Sequence, residues 1–67
     1  MRKQIILAFI EGATTVYLEK GHTEEEAFEF AVITAIQHFK KQPLYRSEAL
    51  NLESEYKIHG AEKMNLI

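Results

Sequence analysis

The chain has no cysteine and no tryptophan, one proline and three glycines among 67 residues. Without cysteine there is no disulfide and no thiolate metal site, and a reducing, cytoplasmic compartment is the natural expectation. So few breakers leave room for long uninterrupted helices. A strong charge of either sign is also missing: the formal net charge is −2, which argues neither for a polyanion partner nor for an acidic disordered tail. The longest apolar run, Ile5–Ile10, is cut by Glu11, so it is too short for a secretory core segment or a membrane span. Repeats, low-complexity tracts, a glycine-rich phosphate loop and a strained nucleophile turn are absent as well. Catalysis is therefore not expected, and no cofactor or metal is implied.

What is present is a strong piece of punctuation. In Lys20-Gly21-His22-Thr23-Glu24-Glu25-Glu26 a helix stop is followed at once by a helix start. Gly21 can take the left-handed conformation that closes a helix, with Lys20 at its negative end. Thr23 and Glu26 have the spacing of a capping box, and the glutamates between them suit the positive end of the next helix. The spacing predicts an antiparallel helical hairpin, helices over about 3–20 and 24–41, joined by about three residues. The same ten residues, Leu18 to Ala27, resemble the first loop of ubiquitin-associated domains. Both flanking helices are longer than that three-helix fold uses, and no family assignment follows.

In the first helix Ile5, Ile6, Phe9, Ile10, Ala13, Val16 and Tyr17 share one broad face, opposite Gln4, Glu11, Thr15 and Glu19. A competing reading makes Gln4–Ile10 and Thr14–Glu19 two strands around a turn at Gly12. Helix is preferred because the segment ends in a helix stop. Gly12 in mid-helix costs about 1 kcal/mol relative to alanine, which a close backbone contact would justify. In the second helix Phe28, Ala31, Val32, Ala35, Ile36 and Phe39 form the main face, while Phe30 and Ile33 lie beside Gln37 on another side. A turn centred on His22 would oppose Gly12 to Ala31, Ala8 to Ala35 and Ile5 to Phe39, giving a tightly packed pair.

Pro43 ends the second helix. Beyond it, Leu44, Tyr45, Ala49, Leu52 and Tyr56 fit a helical stripe, whereas Leu50, Leu52, Ser54, Tyr56 and Ile58 alternate as in a strand. A third helix over about 44–58, stopped by Gly60, is favoured because a lone strand would have nothing to pair with. The expected organisation is an all-α single domain over 1–60, with 61–67 a flexible or partner-docked tail in which Met64, Leu66 and Ile67 are available for contact.

Chemistry-bearing residues are few. His22, His38 and His59 are too scattered for a shared metal site, and Glu24, Glu25, Glu26 and Glu29 are explained by their place at a helix start. Two features point outward. Leu7, Thr14 and Leu18 on the first helix, and Phe30, Ile33 and Gln37 on the second, form surface that one hairpin does not obviously cover. They are the candidate interface for a second copy, most simply a homodimer, or for a protein partner. Arg2, Lys3, Lys40, Lys41 and Arg46 gather at one pole of the hairpin and Glu19, Glu24, Glu25 and Glu26 at the other. The basic pole is the candidate for phosphate or nucleic-acid contact. A chain of this size buries only about 60% of its surface, so assembly is the leading expectation. Nucleic-acid binding is the alternative, and no membrane association is expected.

Overall fold

The computed structural model describes residues 2–60. It is all-α, with α1 over Arg2–Glu19, α2 over Glu24–Lys40 and α3 over Arg46–His59. The tail at 61–67, with Met64, Leu66 and Ile67, lies outside the described residues. No helix among those described is long and apolar enough to cross a membrane.

Each helix boundary has a local cause. Gly21 sits at φ +100°, a conformation other residues rarely adopt. There the His22 amide donates to the Tyr17 carbonyl at 3.3 Å and the Gly21 amide to the Leu18 carbonyl at 3.0 Å, a Schellman closure of α1. Two residues later the Glu26 amide donates to Thr23 Oγ1 and the Thr23 amide to Glu26 Oε1, both at 3.1 Å. This completes the capping box of α2. Pro43 falls in the connection to α3, where the Gln42 amide donates to Phe39 O and the Tyr45 amide to Gln42 O, both at 3.0 Å. Residues 46–59 are helical rather than extended, and Gly60 at φ +73° ends them. The strand-like alternation of 50–58 lost because α2 offers an apolar surface and no edge: Ala49 and Leu52, at helical spacing, are the residues buried from α3. The two threonines of α1 bond backward to carbonyls one turn earlier, Thr14 to Ile10 at 2.7 Å and Thr15 to Glu11 at 3.1 Å. That satisfies their hydroxyls inside a continuous helix, so the two-strand reading of α1 fails.

The core forms around α2. Ala31, Val32 and Ala35 have no exposed surface, and Ile36 and Phe39 join them with Ile6 and Ile10 from α1 and Ala49 and Leu52 from α3. Contacts between α1 and α2 run in reverse order along the two helices. Phe9 stacks on His38 with ring centroids 5.2 Å apart and meets Phe39 edge-on at 5.3 Å, while Tyr17 bonds Thr34 at 3.1 Å and touches Phe30. This register differs from the one expected about His22. Phe9, not Ile5, meets Phe39, and a side-chain carbon at Gly12 would meet nothing within 4 Å. The tight Gly12–Ala31 contact is therefore absent. The aromatic rings decide the offset: Phe9 and Tyr17 fill space beside α2 that a smaller residue would leave empty.

Two substitutions check this punctuation. Thr23→Ala removes one half of the capping box and should cost about 1 kcal/mol, lowering the midpoint of thermal unfolding by about 4–8 °C. Gly21→Ala meets no steric neighbour but forces a side chain into left-handed backbone, and should cost about 1–2 kcal/mol. Circular-dichroism melts read both.

Candidate functional site

The six candidate interface residues separate into distinct environments. Leu7 is half-buried and lines a cleft of about 380 Å³ between α1 and α3, with Lys3, Ile6, Glu48, Asn51, Leu52, Ser54 and Glu55. It therefore faces the chain's own third helix across this cleft rather than lying on fully open surface. Thr14 is partly buried with its hydroxyl turned to the backbone, and Ile33 is partly buried as well. Leu18 and Phe30 do lie open, at 40% and 39% exposure, and Gln37 is exposed beside Lys40 and Lys41. Phe30 is nonetheless held in place, its ring 5.5 Å from Tyr17 and 5.1 Å from His22. Two of the three histidines serve packing here: His22 joins that cluster and lies 3.8 Å from Glu26, while His38 stacks on Phe9 and bonds Gln42 at 2.9 Å.

Ile5 and Val16, each 47% exposed, belong to this surface although their periodicity assigned them to the buried face. With Ala8 and Gly12, also exposed, they occupy one line along α1. The signal that finds them is the register, which periodicity alone does not carry. On α3 and its approach, Leu44, Leu50 and Ile58 are exposed too, at 56%, 44% and 71%.

The basic pole is partly committed inside the chain. Lys40 Nζ donates to both carboxylate oxygens of Glu53, at 2.9 and 3.1 Å. That hydrogen bond, helped by the Lys40 and Lys57 charges and opposed by desolvation, holds the Glu53 carboxyl below its ordinary value. Arg46 Nε donates to the Lys40 carbonyl at 3.3 Å, using its charge on the negative end of α2. Arg2 opens α1, and Lys3 and Lys41 are exposed. Among the described residues no group of three or more histidine and carboxylate side chains is placed to hold a metal ion. Glu48 Oε2 is buried and has no hydrogen-bond partner among the described residues. The chain matches no family model, no curated protein and no solved structure. The described residues thus define a class by architecture only, a three-helix all-α protein with open apolar surface on its first two helices.

Tyr56 supplies a titration that checks how α3 docks. Its hydroxyl donates to Glu29 Oε2 at 2.9 Å, and this bond, with desolvation and the Glu29 charge, raises its pKa above the ordinary tyrosine value. A raised value means the contact contributes below the unfolded pKa near 10 and is lost as pH climbs through the folded one. Ultraviolet titration should show Tyr56 ionising above the ordinary range, and Tyr56→Phe should remove that step.

Proposed function

We propose that this protein is a non-enzymatic helical interaction module, in which α1 and α2 form an antiparallel hairpin that associates with a second copy and presents the assembled surface to another protein. One observation carries the reading: Ile5, Val16, Leu18 and Phe30, all on the two long helices, are each 39–47% exposed. Fully burying a side chain of this kind contributes roughly 1.5–3 kcal/mol, so covering their exposed portions recovers a sizeable share of the 5–15 kcal/mol typical of a folded domain. A second copy offers a covering surface of the same character, and a two-fold pairing of hairpins gives a four-helix core.

The alternative is a small nucleic-acid-binding regulator using Arg2, Lys3, Lys40, Lys41 and Arg46. It has less support, because Lys40 and Arg46 already bond within the chain. Binding through the remaining charges would have a shallow salt dependence, a slope of about −0.9 for each phosphate neutralised.

Sedimentation velocity across the micromolar range should show a concentration-dependent shift from monomer to dimer, and Val16→Glu, on exposed α1 surface, should move it toward monomer. A wild-type chain that stays monomeric throughout sinks the proposal. A gel shift with mixed duplex and single-stranded DNA and RNA should show no complex even at low salt, whereas a complex abolished by Lys3→Glu with Lys41→Glu would favour the alternative.

A further inference from the structure

The outward line on α1 and the charges at its two ends belong to one device. Along α1, Ile5, Ala8, Gly12 and Val16 follow one another at helical spacing, and all four are exposed. The line is nearly symmetric about its own middle: Ala8 and Gly12 flank the centre, and Ile5 and Val16 stand one turn further out on either side. At Gly12 the space a side chain would enter is open. A helix pays for a central glycine in stability, and here none of the described residues uses the room it creates.

Within its first and last turns the charges of α1 oppose its own dipole, and only Lys20, just beyond the last turn, offsets them. Its first turn holds Arg2 and Lys3 with no acidic residue, and its last turn holds Glu19 with no basic one. The neighbouring helix deepens the mismatch. Because α2 runs back along α1, the acidic first turn of Glu24, Glu25 and Glu26 lies at the same end as Glu19, across the turn that holds Lys20, and Lys40, paired with Glu53, stands at the end where α1 begins. Each end therefore carries a net excess of one sign, basic despite the Lys40–Glu53 pair and acidic despite Lys20, and a body with the same two ends reversed complements both.

We propose that a second copy of this chain docks antiparallel on this line of α1 about a two-fold axis between Ala8 and Gly12, bringing Ile5 of one copy onto Val16 of the other and Glu19 beside the opposite N-terminus. The inference rests on the self-association proposed above and specifies which face is used. The small residues at the centre let the two backbones approach at the close end of the usual 8–10 Å separation, and the larger residues close the contact outside them. Reversal also sets the dipoles of the two α1 helices antiparallel and places each acidic pole against a basic one. Leu18 and Phe30 stay outside the contact and remain for the protein partner.

The chain's lack of cysteine makes the test direct. An Ala8→Cys chain mixed with a Gly12→Cys chain should oxidise mainly to the mixed disulfide dimer, since the axis opposes those two positions; Leu18→Cys with Phe30→Cys should give only slow, random products. Gly12→Leu should keep or raise the melting temperature, as leucine is the better helix former and has open space before it, yet weaken the dimer by about tenfold or more. The dimer should also loosen as salt screens the poles. If the wild-type chain dimerises, but Gly12→Leu dimerises equally well and no mixed disulfide forms, this face is wrong and self-association stands on another. If the wild-type chain never dimerises, both readings fall.

Discussion

Small residues on α2 let two neighbours reach one helix. Ala31, Val32 and Ala35 are fully buried, and around them Ile6 and Ile10 come in from α1 and Ala49 and Leu52 from α3. Alanine on α2 keeps both flanking helices close enough for those branched side chains to touch across it. The arrangement makes α2 the shared wall of the molecule and leaves α1 and α3 as outer layers, each with a face toward water. Exposed apolar surface on α1 follows from that layering, because a helix in a three-helix stack has neighbours on one side only.

The polar contacts are secured at the seams rather than in the core. No polar or charged residue among those described is fully buried. The bonds from Tyr17 to Thr34, from Lys40 to Glu53 and from Tyr56 to Glu29 link α2 to each neighbour along its edges. Exposed pairs of this kind contribute little stability each, but they are directional, so they select among orientations that apolar packing alone leaves nearly equivalent. The Lys40 pair also neutralises one charge of the basic end of the hairpin.

Helix ends, and the burial of α2, were legible because each depends on a few neighbouring residues. Gly21, Thr23 and Glu26 act within one turn of backbone, and the buried face of α2 repeats at helical spacing. The third helix was harder to read, since Leu52 and Tyr56 fit both a two-residue and a helical period, and only the surface they meet separates the two. Of the candidate site, Leu18 and Phe30 lie open, whereas Leu7 is half-buried beside a cleft that α3 also lines.

By itself the sequence determined where the first two helices meet and how the turn between them is capped, which follow from capping chemistry and spacing along one chain. Only the tertiary structure decided how far α1 slides along α2. Periodicity names a face but says nothing about offset. Alanines four residues apart tolerate several registers about equally, whereas the rings of Phe9 and Tyr17 fit beside Phe39 and Thr34 in the one observed. That choice turned Ile5, Gly12 and Val16 from an inner face into an outer one.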